Sequence, residues 1–437
     1  MLRDGLVACI ESSSSGTSTT STSILVSLEN GTVHRSYRPL TTAIAKNVSD
    51  GCVSPPPICM LPGCNAFLAA EDRRVVMLYG PNVQQPAARW IMPEPVSALA
   101  ISRCGRFLFA GADGGQGCVY VWSLETGDLL RLLKGHMRRV THLSVSHAFV
   151  ASGSNDGSCR VYGFPGLLKG DRPLATIVGH SLPVTCTSFF NLSPWLLITG
   201  SSDATCRLHD LRSCTALDDA QQQHSVARGR QVARWSMSFS VTCVAIDGDD
   251  RSFFAGGSNG DISWVQLGDD HGAVEPRRLR TPHQGHQVIH VASVGDSWLS
   301  LDAAGTAVVW DRHTLTVTRE LYDLRRSVVS AATLFRGEGA ATPFHLAAAG
   351  RPTQRQFFDI NRPANYFSSI NNASLKRAVS LVESDGCQLP AATLKNVDLN
   401  AVARSSRTPI GASKRGRDGD RRLTLLANEI FREVMES

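Results

Sequence analysis

Residues 151–162, ASGSNDGSCRVY, and residues 198–210, ITGSSDATCRLHD, are two copies of one unit, and their alignment decides the fold. Each is preceded by a Gly-His pair, Gly135-His136 or Gly179-His180, and then by a Val-led run. In each, a turn of small residues holds an Asp, Asp156 or Asp203, six residues before the terminal aromatic position at Tyr162 or His209. Ser152 and Thr199 stand in corresponding places ahead of that turn. A third copy ends in Val308, Val309, Trp310 and Asp311 and is led by Gly285-His286. The unit recurs about every 40 to 55 residues, a period that marks a repeat architecture.

Strands need β-branched and aromatic residues with a period of two, bounded by Gly, Asn, Asp and Ser turns. VYVW at 119–122, RVY at 160–162 and AVVW at 307–310 supply the strands, while GSND at 153–156 and SSDA at 201–204 supply the turns. Strands of this length at this spacing form a WD-repeat β-propeller, an all-β fold of four-stranded blades. The turn carboxylate falls at one place in each blade, where it bonds the imidazole of the Gly-His pair. A buried polar pair is tolerated when both partners are satisfied. His136, His180 and His286 are therefore read as structural, in a network with Ser152, Asp156, Tyr162, Thr199, Asp203, His209, Trp310 and Asp311.

Extending the register places third strands near Val26, Tyr79, Trp122, Tyr162, His209, Val265 and Trp310, with a further candidate at Phe358. The N-terminal copy has no room for a first strand. Residues 6–10, 24–28 and 33–37 supply three strands there, and residues 328–334 return as the fourth, which joins the chain ends and removes exposed sheet edges. Seven blades follow; extra strands at 344–349 and 356–360 leave eight open. The propeller is assigned to residues 1–360, with a Ser/Thr-rich loop at 12–23, followed by a linker at 361–422 and a helix at 423–437.

At 437 residues, 42% apolar and 19% charged, the chain can bury a core. It shows no apolar run of roughly 18 to 20 residues and no cleavable leader, so a soluble intracellular protein without membrane partner is expected. The twelve cysteines are scattered, many of them in predicted strands, with no CxxC pair. Small buried thiols in a reducing compartment fit better than metal ligands or disulfides. Residues 361–437 hold 12 Lys/Arg and 8 Asp/Glu, leaving 32 against 30 in the body. A near-neutral propeller is not expected to act as a nucleic-acid clamp by itself. In the tail, Lys414, Arg415, Arg417, Arg421 and Arg422 lie among Ser, Gly and Pro. That run reads as an import signal, an RNA contact or a solvated linker. Residues 374–383 and 423–435 read as helices. The second presents Leu423, Leu426, Ile430 and Val434 on one face, for a partner, for a second copy or for packing on the propeller.

Little in the sequence speaks for catalysis. GGSNG at 256–260 matches the G-x-S-x-G elbow, but that motif needs a strand-to-helix turn. Here it falls in register with the blade turns at Asp156 and Asp203. No P-loop, dinucleotide fingerprint or HExxH occurs. Ala304 takes the expected Asp position in the Trp310 blade, and Val265 takes an aromatic position. No enzyme and no cofactor is expected.

Several stretches together resemble one family. They are VACIE at 7–11, ILVSLENG at 24–31, IMPEPVSAL at 91–99, VYVWSLETGDLL at 119–130, VTCVAI at 241–246 and FAGGSNGDI at 254–262. Their order is similar to that of the WD-repeat subunit of the rixosome, a nuclear complex in maturation of the large ribosomal subunit. The likeness covers residues 1–340. The Ser-rich segment departs from the family pattern, and the tail lacks the sustained heptads of a dimerising coiled coil. The resemblance implies a non-catalytic scaffold in the nucleus, in nucleolus and nucleoplasm. Implied partners are a helical-repeat subunit, the pre-60S particle and the AAA ATPase midasin, with support for removal of the second internal transcribed spacer. The alternative is a generic WD-repeat adaptor: a ubiquitin-ligase substrate receptor, a chromatin reader or a replication-licensing factor.

Overall fold

A computed structural model describes residues 4–13, 19–28, 33–37, 57–62, 66–70, 74–80, 86–124, 126–164, 166–168, 172–215, 229–268, 275–283, 285–321 and 328–335. These residues form seven four-stranded antiparallel sheets. Blade 1 is ordered β28 (Val328–Phe335), β1 (Asp4–Ser13), β2 (Thr19–Ser27) and β3 (Val33–Tyr37), so the two ends of the described chain close one sheet. Blade 2 contains β4 (Ile58–Met60), β5 (Phe67–Ala69), β6 (Val75–Tyr79) and β7 (Ala88–Ile91). Blade 3 contains β8 (Val96–Ile101), β9 (Phe107–Ala112), β10 (Val119–Ser123) and β11 (Leu129–Leu133). Blade 4 contains β12 (Val140–Val145), β13 (Phe149–Ser154), β14 (Ser158–Gly163) and β15 (Ala175–Val178). Blade 5 contains β16 (Val184–Phe189), β17 (Leu196–Ser201), β18 (Thr205–Asp210) and β19 (Arg230–Ser236). Blade 6 contains β20 (Val241–Ile246), β21 (Ser252–Gly257), β22 (Ile262–Gln266) and β23 (Arg277–Leu279). Blade 7 contains β24 (Val288–Val294), β25 (Ser297–Asp302), β26 (Ala307–Asp311) and β27 (Val317–Leu321).

The first strands touch in the order β28, β4, β8, β12, β16, β20, β24 and back to β28, which is a closed seven-membered ring. The expected third-strand positions from Val26 on β2 to Trp310 on β26 lie on third strands, while Phe358 lies outside the described residues. Register repeats with them. The bulge between third and outer strands falls at Val26, Trp122, His209 and Trp310. The expected strands at 344–349 and 356–360, and the helices at 374–383 and 423–435, lie outside the described residues. The Ser/Thr-rich loop expected at 12–23 is corrected where it is described, because β1 runs to Ser13 and β2 starts at Thr19, paired through Ser13↔Thr19, while residues 14–18 lie outside the described residues. Composition suggested a loop, but Thr is a strand former.

Blades meet through one repeated contact. Each first strand from β8 to β20 skips a residue against its neighbour, at Ser97, Thr141, Thr185 and Thr242. The hydroxyl of that residue donates to a carbonyl at the start of the next blade: Val140, Val184, Val241 and Val288 respectively. The same valines pack on Gly111, Gly153, Gly200 and Gly256, where a Cβ would lie 2.6 to 2.8 Å from a valine methyl. Glycine is required there because the next blade occupies the side-chain space. In blade 7 the skipped residue is Ile289 and the glycine position holds Leu301. The joint onto blade 1 is accordingly apolar, with Leu299, Leu301, Val328, Ile24 and Val26 in one cluster.

Candidate functional site

The connections between blades and the turns between second and third strands meet on one face, and a geometry repeated in three blades is built there. In blade 4, His136 Nδ1 lies 3.1 Å from Asp156 Oδ2 and Nε2 lies 2.8 Å from Ser152 Oγ. In blade 5, His180 Nδ1 lies 3.0 Å from Asp203 Oδ2, Nε2 lies 2.9 Å from Thr199 Oγ1, and Thr199 continues to His209 Nε2 at 3.3 Å. Each carboxylate also accepts from the connection and the turn. The Met137 and Ser181 N–H groups donate to Oδ2 at 3.0 and 3.1 Å, and the Ser158 and Thr205 hydroxyls donate to Oδ1 at 2.6 Å. Burial works to raise the Asp203 pKa, but hydrogen bonds from Thr205, His180 and the Ser181 N–H outweigh it and hold it at about 2. Asp156 is lowered by the corresponding set against the same opposing burial. These aspartates are ionised and tie the connection to the turn.

Blade 7 corrects the sequence reading. His283, not His286, enters the network: its Nδ1 lies 3.1 Å from Asp302 Oδ2 and its Nε2 lies 2.8 Å from Ser300 Oγ. Trp310 Nε1 donates to the same hydroxyl at 2.8 Å. His286 is exposed on that connection, with its backbone N–H donating to the His283 carbonyl at 2.9 Å. Ala304 does occupy the turn position of Asp156, and the carboxylate has moved two residues back to the end of β25, where Ser154 and Ser201 stand in blades 4 and 5. Asp302 Oδ1 accepts from the Thr306 N–H at 2.7 Å, so it still holds the turn. The readable signal was separation: 20 and 23 residues from His to Asp in blades 4 and 5, and 19 from His283 to Asp302. Asp311 stands apart from the network, capping the next turn through the His313 and Thr314 N–H groups at 2.9 and 2.7 Å. Tyr162 is buried at the end of β14, opposite Val150.

Blades without the histidine replace the whole set. The position that meets the imidazole is Ser152, Thr199 or Ser300 in blades 4, 5 and 7, and Ala69, Ala110 or Ala255 in blades 2, 3 and 6. Met92 and Met237, both buried, stand where blades 3 and 6 would carry histidine. Val265 at the aromatic position belongs to that apolar set, packed with Met237, Phe239 and Trp235.

None of the network imidazoles faces solvent: His136, His180 and His283 are buried, and the His283–Asp302 pair is fully enclosed. The GGSNG stretch is a strand followed by a turn into another strand, with no helix to raise a nucleophile. Among the described residues, no His, Cys, Asp and Glu group has metal-holding geometry, and no helix is long and apolar enough to cross a membrane. Burial pushes the Cys159, Cys186 and Cys243 thiols up to about 12, so they stay protonated. Met137 and Leu182, 82% and 50% exposed, protrude from the connections that His136 and His180 anchor. On the other face, an 1100 Å³ cavity opens among the ends of β12, β16, β20 and β24. Arg312 bridges Asp247 and Asp249 there at 2.8 and 2.5 Å. Leu423, Leu426, Ile430, Val434 and the basic residues Lys414, Arg415, Arg417, Arg421 and Arg422 lie outside the described residues.

The WD40 family, described as WD domain, G-beta repeat, matches residues 127–163 and 171–210. Across the longer chain, the pre-rRNA-processing protein IPI3 of Meyerozyma guilliermondii is 24% identical over 314 residues, 62% of this chain and 66% of that protein. The pre-rRNA-processing protein pro-1 of Caenorhabditis briggsae is 28% identical over 185 residues, 40% of this chain and 31% of that protein. IPI3 of Yarrowia lipolytica is 26% identical over 276 residues, 58% of this chain and 61% of that protein. The chain thus spans about a third to two thirds of the length of these relatives.

Proposed function

We propose that this seven-bladed WD-repeat propeller is a non-catalytic scaffold in pre-rRNA processing, within a nuclear complex that matures the large ribosomal subunit. The observation that carries the reading is the match to proteins called pre-rRNA-processing along 314 residues, well beyond the two repeats that the WD40 family matches. The geometry supports it: the network histidines are enclosed and serve the fold, while the rigid ring holds exposed connections in fixed places. The finer role is support of second internal transcribed spacer removal, with a helical-repeat subunit, the pre-60S particle and midasin as partners. The tail past residue 361 adds nuclear import, an RNA contact or a docking helix.

Depletion of the protein should accumulate spacer-containing large-subunit precursor RNA and lower free 60S subunits, read by hybridisation and sedimentation. Unchanged precursors after efficient depletion would sink this reading. The alternative, a general WD-repeat adaptor, is favoured by the generic repeat match alone. Affinity purification separates the two: large-subunit precursors and midasin against ligase subunits or chromatin.

A further inference from the structure

Blade 5 sets two arginines directly opposite each other. Arg207 on β18 and Arg234 on β19 are cross-strand partners, and like charges in that position repel. The Arg207 guanidinium rests on the backbone of Gly179, where a Cβ would stand 2.6 Å from Nη1. Nη1 donates to Gln231 Oε1 at 3.1 Å, while Nε is buried with no hydrogen-bond partner. Burial and then the Arg234 charge lower the Arg207 pKa, with Asp203 opposing them. Arg230, at the other end of β19, is opposite Asp210, but Arg212 already holds that carboxylate at 2.7 Å.

The surplus continues along the circumference. β19, β23 and the residue after it carry five exposed arginines, Arg230, Arg234, Arg277, Arg278 and Arg280, and no carboxylate. Among the described residues, the acids beside them are Asp203 and Asp210 of blade 5, Asp261, which takes Arg278 at 2.6 Å, and the exposed Glu275. In blade 4, Arg160 lies on Gly135 as Arg207 lies on Gly179, beside the exposed Lys134, and its Nε also lacks a partner. The near-neutral body therefore conceals segregated charge.

We propose that the outer rim of blades 4 to 6, centred on the Arg207–Arg234 pair, is a phosphate-binding track for single-stranded RNA. The arginines are exposed along the outer strands of two successive blades, an extended arrangement that suits a polyanionic backbone. Its cations are nearly all guanidinium groups, whose fork geometry matches phosphate. The proposal deepens the pre-rRNA reading and rests on it for the choice of RNA. Charged edge strands also keep sheets from pairing edge to edge, and the test must separate that role.

The test uses the full chain and a fluorescent oligouridine of about 20 nucleotides, titrated across a range of KCl concentrations. The variant carries Arg230→Gln, Arg234→Gln, Arg277→Gln and Arg280→Gln, with Arg207 kept because it packs on Gly179. The expected result is binding weakened about tenfold or more, and a salt slope lower by about 3, at about 0.7 per lost phosphate contact. The melting temperature should stay unchanged. Arg234→Gln alone, which keeps the other arginines, should lower the slope by about 0.7 and covers the case of a misfolded quadruple variant. Neutralising Lys414, Arg415, Arg417, Arg421 and Arg422 should leave the rim's share of the slope intact. The proposal is overturned by no binding in the parent chain, by an unchanged slope in the rim variants, or by loss of all binding with the tail variant. It is also overturned if polyglutamate competes as well as RNA does, which would assign the rim to an acidic protein. Aggregation with unchanged RNA binding would establish edge protection instead. Each of these leaves the depletion phenotype standing, so the two readings fail separately.

Discussion

Asp302 and His283 are both fully enclosed, so removing either strands a polar group with no access to water. Asp302→Ala should cost about 1–3 kcal/mol, and Asp203→Ala or Asp156→Ala a similar amount. His286→Ala should leave the melting temperature within about 1 °C, since that side chain is exposed. An equal loss from His286→Ala would return blade 7 to the simple Gly-His register. A second residue-scale outcome concerns Ala204, which stands at φ 60° where the equivalent turns carry Gly157, Gly260 and Gly305 at 79°, 85° and 91°. Ala204→Gly should stabilise by up to about 1 kcal/mol, because an L side chain is strained in that region. Thermal denaturation reads both.

At the scale of the element, the blade joint makes small residues sensitive. A Cβ on Gly200 would lie 2.6 Å from Cys186 Sγ and 2.8 Å from Val241 Cγ1, both in packed strands. Gly200→Ala should cost about 1–3 kcal/mol, whereas Gly163→Ala, which meets nothing within 4 Å, should be close to neutral. Thr185→Val keeps the shape but drops the bond to the Val241 carbonyl at 2.8 Å, and should cost about 1 kcal/mol in chemical denaturation. If Thr185→Val matches the parent, the hydroxyl tie contributes nothing and the joint is held by packing alone.

The whole ring should respond to acid, because its interior keeps histidines neutral. Burial pushes His142 on β12 down to about 4 and His209 to about 3, and burial followed by the His142 charge takes His290 on β24 to about 4. In the unfolded chain these imidazoles titrate near 6.5. Their folded values are depressed, so their contribution is complete above about pH 6.5 and is lost as pH falls toward 4 and 3. Asp203 follows in the window from about 4 to 2. The melting temperature should therefore decline below pH 6.5, and His142→Gln with His290→Gln should flatten the fall between 6.5 and 4. An unflattened profile would place the acid response elsewhere. Closure is the other property of the whole. Deleting residues 4–13 removes β1 from between β28 and β2 and reopens sheet edges, so the product should lose its cooperative transition and aggregate.

Local chemistry was enough to read the repeat, the seven closing blades and two of the three histidine networks, because each depends on residue types at short, regular spacing. The return of residues 328–334 onto the N-terminal strands was legible for the same reason: one blade lacked a first strand and the pattern supplied one at the far end. Blade 7 resisted, because His283 and Asp302 both moved off the register while His286 and Ala304 stood at the Gly-His and turn positions. The Ser/Thr-rich segment misled, since composition reports polarity and only pairing with a partner strand decides whether threonines form a sheet. Net charge misled as well, being a sum over the chain, while the Arg207–Arg234 opposition exists only where β18 and β19 pair. Short-range pattern determines which strands form, and the pairing of distant strands decides which side chains share a space.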